Sequence, residues 1–475
     1  MDKFADAPIV DDFLTFEWLG RRIARDSAPK SYFVITSDSA KPSLCAPTDS
    51  YQALIDSVIA AADQPNVEIG YMSKGQRVVT PDGAQLAQEL ASKPFVQVRL
   101  VSHEKELAFF VEEWTVDGST LVAPRPNPVT KNIQLGSSSA DTFFETPGKN
   151  LEELYPTPLM DDFDFEVDVV YTWVNSEDPD WQKLLADYSE GDEIEPDRFS
   201  NRDELRYSLR SLLRFAPWVH RVYIVSNCKP PEWFDESNQQ VVWVYHDEII
   251  DSALLPTFNS HAIEASIHRI PNLSEHFLYF NDDIFVMKPV RKSHFFYTNG
   301  IAKIRPEKYG IVHGDVDPSD PDYINAARNA QALLQSKFGS TATRPHTHSP
   351  QSMKRSVAQA SEATFAEAFE QTRRNRFRST TDISATSFLY PNFAYLTGEA
   401  VTDFPKTALM NVNHPFREKL ESYSMMVNSE NFADLPLTLC INDGGGSAQN
   451  QDWGKAIVEF MHSAFDQSSV AEKSL

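Results

Sequence analysis

Between Val167 and Met287, short apolar runs alternate with stretches of helical spacing. Val167–Val174 (VDVVYTWV), Arg221–Ser226 (RVYIVS), Val241–Tyr245 (VVWVY) and Phe277–Phe280 read as strands, being short and rich in β-branched and aromatic residues. Between them, Leu205, Leu209, Leu212 and Leu213 line one face of a helix that opens at Asn201-Arg202-Asp203-Glu204 and stops near Pro217. An N-cap residue followed by Glu at the third helical position sets that start. His261–Arg269 predicts a shorter helix, with Ile263, Ile267 and Ile270 toward the core and Pro271 as its stop. Strand–helix–strand order with short links predicts an α/β fold, a mainly parallel Rossmann-like sheet covered by helices. Downstream the pattern turns helical, over Asp322–Phe338 up to Gly339 and over Glu362–Thr372.

The first 123 residues follow a different pattern and predict a separate small α+β domain. Ser31–Thr36 is strand-like, and Tyr51–Ala62 and Gln85–Ala91 have helical spacing. Val67–Met72 and Gln76–Thr80 flank Ser73-Lys74-Gly75, a hairpin signal. Phe95–Val101 alternates, and Leu107–Val116 and Thr120–Val122 flank the turn Asp117-Gly118-Ser119. Residues 124–166, with Pro126, Pro128, Pro147, Pro156, Pro158 and three serines from Ser137, read as a linker. A third region, 167–475, is then the main domain.

Composition narrows the function. The 475 residues include 41% hydrophobic positions and 31 Phe, ample for a packed core, and carry a formal net charge of −25. Such acidity argues against general binding of nucleic acid or anionic membrane. Cys45, Cys228 and Cys440 are too few and too scattered for a disulfide framework or zinc site, which points to a reducing compartment or to indifference to redox. The start MDKFADAPIV has no basic or apolar region of a signal peptide, and no run approaches a membrane span. The cytoplasm is the expected location.

The densest candidate chemistry is His276–Val290 (HFLYFNDDIFVMKPV), where Asn281, Asp282 and Asp283 end an apolar strand. The carboxyl edge of an open α/β sheet is where ligands bind. Two adjacent carboxylates there repel unless they share a proton or cation, and a divalent ion carrying phosphates resolves the conflict. The plainer reading is a polar turn. Asp168 is a charge inside an apolar strand, costly without a partner; its residues leave open a salt bridge or a ligand contact. Arg202, Arg206, Arg210 and Arg214 recur every four residues, as a solvated stripe or an anion clamp. Arg373-Arg374-Asn375-Arg376-Phe377-Arg378 reverses the local charge of an acidic chain, though a helix C-terminus also favours cations. LCINDGGG places Asn442 and Asp443 at the end of an apolar segment before three glycines.

These stretches together resemble the Stealth family of sugar-1-phosphate transferases, which includes bacterial capsular polysaccharide phosphotransferases and the animal N-acetylglucosamine-1-phosphotransferase. The resemblance runs through four blocks. DVVYTWVNSEDPDW (Asp168–Trp181) is the first. The second, Arg198–Val290, contains RFSNRDELRYSLRSLLRFAPWV and LPTFNSHAIEASIHRIPNLSEHFLYFNDDIF. The third, Tyr323–Tyr395, holds His348-Ser349-Pro350 and RFRSTTDI; the fourth, Leu439–Lys473, holds CINDGGG and the terminal AEK. Asn201-Arg202-Asp203 and Ser176-Glu177 depart from the pattern, which bears on substrate detail. Residues 1–166 are expected to stand outside the resemblance.

The resemblance implies transfer of a sugar with its phosphate from a UDP-sugar to a hydroxyl of a glycan acceptor, with release of UMP, in capsule or exopolysaccharide synthesis. It implies Mg²⁺ or Mn²⁺ on Asp282 and Asp283, with Asp282 also catalytic, and His348 as general base. Arg378, with Arg376 and Arg206, would stabilise the transferred phosphoryl. Asp168, Asn175, Asn281, Asn442 and Asp443 match active-site positions. Peripheral association with capsule assembly machinery is a further implication. The competing readings are a metal-dependent glycosyltransferase of GT-A type that releases UDP, and a non-catalytic glycan- or nucleotide-binding protein.

Overall fold

A computed structural model describes residues 163–189, 201–414, 416–442 and 450–473 in full, and ten strand backbones within residues 9–134. The chain divides into two compact units, Met1–Leu159 and Met160–Leu475.

In the first unit, the 13-residue strand Lys105–Asp117 is the hub of an antiparallel sheet. It pairs with Ser31–Ser37, Phe95–Ser102 and Thr120–Val122, and Phe95–Ser102 continues to the hairpin Val67–Ser73/Gln76–Val79. Asn132–Gln134, within the stretch read as a linker, pairs with Thr120–Val122. The helical spacings at Tyr51–Ala62 and Gln85–Ala91 lie outside the described residues.

The second unit is built on a five-stranded sheet. Its strands are β1 (Val167–Thr172), β2 (Val222–Val225), β3 (Val241–Val244), β4 (His276–Asn281) and, beyond two short strands β5 (Ile284–Val286) and β6 (Ala302–Ile304), β7 (Gln351–Lys354). The order is β3-β2-β1-β4-β7, with the first four parallel and β7 antiparallel to β4. β1, β2 and the first five residues of β4 are almost wholly buried, as strands covered on both faces must be. The mainly parallel α/β sheet expected from the alternating pattern is present.

Helices flank the strands: α1 (Pro179–Tyr188), α2 (Glu204–Phe215), α3 (Ser260–Glu264), α4 (Asp322–Phe338), α5 (Arg355–Thr364), α6 (Ala366–Arg374) and α7 (Tyr390–Leu396). α8 (Arg417–Asn428) and α9 (Gln451–Ala464) close the chain. A second sheet joins β5 to β10 (Thr438–Ile441) and β9 (Ala408–Met410); β6 pairs with β8 (Ala400–Thr402).

Three local expectations are revised. α2 begins after Asp203, which sits in the left-handed region at φ 67° and caps nothing with its side chain. Glu204 instead reaches back to the Arg202 N–H at 2.5 Å. The helix read over Glu362–Thr372 is two helices, broken at Phe365, whose ψ of 39° leaves the helical range. The helix read over His261–Arg269 is α3 followed by a 3₁₀ turn, Ile267–Arg269.

Candidate active site

Strand order reverses between β1 and β4. In such a sheet the crevice beyond the carboxyl ends of those two strands is the ligand site. The register Thr172↔Asn281 brings both strands to that edge together. Asn281 is exposed there, and Asp282 and Asp283, half-buried, form the turn that carries the chain into β5. The polar turn and the site at a sheet edge are thus the same object.

Two neighbouring strands border this turn. β7 runs antiparallel to β4 with Tyr279↔Gln351 as the pair nearest the carboxyl end of β4, so the chain enters β7 from that edge. Three residues before Gln351 is His348, which is exposed. On the other side β10 runs antiparallel to β5 with Ile284↔Cys440, and Ile441 N–H donates to Asp283 O at 2.9 Å. Two residues past Cys440 is Asn442, whose N–H donates to Met410 O. Asp283 Oδ2 accepts from the Cys440 thiol at 3.3 Å, and burial followed by the nearby Asp283 charge pushes that thiol well above its ordinary value. Asp443 lies outside the described residues.

α3 brings in the arginine loop. Asn259, fully buried, caps α3 through the His261 N–H, while its amide donates to Asn375 O, Phe377 O and Asp382 Oδ2. Asp382, also fully buried, accepts from Asn375 and from the Ser379 N–H and lies 3.2 Å from His261 Nδ1. This knot fixes the loop that carries Arg376 and Arg378. Arg378 donates to Ser260 Oγ at 2.9 Å; Arg376 donates to Pro256 O and lies over the Tyr188 ring. One turn on from Ser260, Glu264 accepts from Thr386 at 2.6 Å. Burial and then the Glu264 charge push the Tyr279 phenol up; Tyr279 in turn hydrogen-bonds Thr172 at the end of β1. Thr386 belongs to a π-helical turn, Ala385–Leu389, whose Ser387 O accepts the His346 N–H. One irregular turn therefore ties the arginine loop to the strand leading to His348. Asn259, Ser260, Glu264 and Asp382 were not singled out from the sequence.

Other expected site residues are placed elsewhere or otherwise engaged. Asp168, fully buried, is at the amino end of β1, opposite Phe277 and so about 16 Å of strand rise from Asp282. It lies 2.9 Å from His220 Nδ1 and accepts from the Arg221 and Ser274 N–H groups. Its costly charge is settled structurally, by these groups and not by an arginine side chain of the next helix. Arg206 donates to Glu472, as does Arg210, so α2 offers its stripe to the C-terminal segment. Asn175 lies beyond β1 at the carboxyl edge, where its side chain accepts from Glu177 N–H and Asn201.

With this geometry in view, the chain can be set beside known proteins. Residues 165–193, 198–304 and 347–395 match Stealth protein conserved regions 1, 2 and 3. The capsular polysaccharide phosphotransferase SacB of Neisseria meningitidis serogroup A is 36% identical to it over 98% of this chain and 88% of its own length. The chain belongs to the Stealth family. Its relatives are phosphotransferases, and so is this Stealth enzyme. The exopolysaccharide phosphotransferases SCO6023 and SCO6021 of Streptomyces coelicolor are 38% and 39% identical, over 64% and 63% of this chain and 55% and 59% of theirs. The matched family regions begin at residue 165, as expected, while similarity to SacB extends over 98% of the chain. Among solved structures, the galactosyltransferase LgtC covers 64% of the chain at TM-score 0.33 and 9% identity, too weak a likeness to carry an argument. Among the described residues of this Stealth enzyme, no helix is long and apolar enough to cross a membrane.

Proposed function

We propose that this enzyme transfers a sugar-1-phosphate from a UDP-sugar to a hydroxyl of a glycan acceptor in capsule or exopolysaccharide synthesis. The carrying observation is the switch point between β1 and β4, whose carboxyl edge ends in Asn281, Asp282 and Asp283, with His348 shortly before β7 and Asn442 just after β10. The acceptor oxygen attacks the phosphorus next to the sugar. The bond from that phosphorus to the bridging oxygen breaks, and UMP leaves with that oxygen; the sugar's own C–O bond stays intact. His348, exposed at the edge, takes the hydroxyl proton as the attack proceeds. Arg378, held by Ser260, faces the transferred phosphoryl with a planar fork, and Arg376 supports it from the same loop. Asn175, Asn281, Asn442 and Asp443 are candidates for orienting donor and acceptor.

Among the described residues no group of three or more His, Cys, Asp or Glu is arranged to hold a metal. Two adjacent carboxylates at the edge nevertheless suit Mg²⁺ or Mn²⁺, which bind through one or two carboxylates together with substrate phosphates and water. Asp282 and Asp283 would hold it, and it would neutralise charge on the diphosphate. The buried free thiols Cys228 and Cys440 accord with a cytoplasmic site of action. A small N-terminal domain at 1–123 and a linker at 124–166 remain part of this reading, as do a poly- or oligosaccharide acceptor and peripheral contact with capsule assembly machinery.

Incubation with a panel of UDP-sugars, metal and acceptor, followed by mass measurement, tests the reading. UMP release and a product heavier by a sugar phosphate are expected. Release of UDP with a product heavier by a sugar alone would overturn it.

A further inference from the structure

A hydroxyl that receives a sugar-1-phosphate becomes a phosphodiester. An enzyme that extends its own product therefore meets an acceptor with one negative charge per repeat. This protein is strongly acidic, at net −25, so such a chain needs a local path of the opposite sign.

One such path leads to His348. Residues 305–312 lie alongside 343–347: Thr347 N–H donates to Arg305 O, Glu307 N–H to Pro345 O, and Ile311 and Val312 N–H to Thr343 O, with a bridge between Pro306 and His346. A Cβ at Gly310 would run into Thr343, so glycine lets the two segments press together there. Arg305, Lys308 and Arg344 lie on this ribbon against a single carboxylate, Glu307. Lys308 and Arg344 are exposed, and among the described residues neither is paired with a carboxylate. Arg305 is buried beneath, donating to His294 O and, at 3.5 Å, to Pro350 O, which pins the chain on both sides of His348. Next to Lys308 in the chain Tyr309 is 78% exposed, and Ile311 is 50% exposed. An exposed aromatic on a ribbon with two exposed cations offers a ligand both an apolar face and positive charge. Its face suits a sugar ring, and the cations suit phosphodiesters. Arg344 precedes His348 by four residues, about 13 Å of extended chain. The path ends where Asp315, Asp317 and Asp320 begin, a run that repels an anionic chain.

We propose that the ribbon 305–312/343–348 is an acceptor subsite for a phosphodiester-linked sugar chain, with Tyr309 stacking on a sugar and Lys308 and Arg344 meeting its phosphodiesters. The inference rests on the sugar-1-phosphate reading of the same site. The test uses the full-length enzyme and, as acceptors, size-fractionated chains made by the wild type. Lys308→Glu with Arg344→Glu should raise the KM for long acceptors by about tenfold or more. Tyr309→Ala should raise it about threefold. Donor KM, and kcat at saturating acceptor, should stay within about twofold, because none of these side chains meets the donor. Lys308→Arg should behave as wild type, and raising salt should weaken the wild type for long acceptors but not the charge-reversed variant. An unchanged acceptor KM in the charge-reversed variant overturns the inference, and so does a change confined to donor KM. Failure of the underlying reading shows separately, as UDP instead of UMP in the wild-type reaction.

Discussion

Two aspartates mark opposite ends of the same pair of strands. Asp168 at the amino edge is fully buried and surrounded by His220 and two backbone N–H donors. Asp282 at the carboxyl edge is half-buried in the turn between β4 and β5, whose partner strands β7 and β10 border it. Both stand in stretches that match the Stealth pattern. The amino-edge group ties β1 to the entries of β2 and β4, a structural duty. The carboxyl-edge group stands where a parallel sheet opens toward ligand. On the proposed reading, a carboxylate's position along the strand, not its residue type, separates holding the fold from meeting substrate.

The comparison breaks most visibly in rates. Asp282→Ala should lower turnover by about 10³-fold or more, since a metal held there against the diphosphate would supply several kcal/mol to the transition state. Its melting temperature should stay near wild type, and turnover persisting in excess chelator would remove the metal from the reading. His348→Ala should lower turnover by roughly 10²–10⁴-fold with donor affinity nearly unchanged. Arg378→Lys should cost part of its effect in donor KM, because a point charge cannot replace the planar fork. If His348→Ala turns over normally, the base lies elsewhere, and Asp443 is the next candidate.

At the other edge the effect should move from rate to stability. Asp168→Ala strands two backbone donors and the His220 ring, and should cost about 3 kcal/mol by chemical denaturation. Activity per folded molecule should hold. A large fall in kcat at unchanged stability would erase the distinction between the two edges.

The smallest effect concerns pH. His246 follows β3, and burial lowers its imidazole to about 4. A group whose folded pKa is depressed stabilises the fold above its unfolded value and loses that contribution as pH falls toward the folded one. Stability should therefore decline between pH 6.5 and about 4, by up to about 3 kcal/mol. His246→Phe should flatten that part of the profile in urea titrations, and an unchanged slope would assign the acid loss to other groups.

Much of the catalytic unit could be read in advance. The strands of the main sheet and the placing of Asn281, Asp282 and Asp283 at a strand end follow from short-range apolar patterning, which a sheet buried on both faces imposes on each strand separately. The break at Phe365 was less legible, because the helical periodicity continues through it.

The candidate site divides along the same line. Local sequence marked Asp282 and the arginine run that holds Arg378 as candidates, and the resemblance added His348 and the chemistry it implies for all three. Pairing settled the rest. That Asp168 faces the wrong end, that Arg206 belongs to Glu472, and that Asn259 and Asp382 knot the arginine loop depend on partners far away in the chain. Strand order and register are joint properties of several segments. A residue's own neighbours in sequence carry no record of which strand will lie beside it, and for that physical reason these assignments became visible only in the folded molecule.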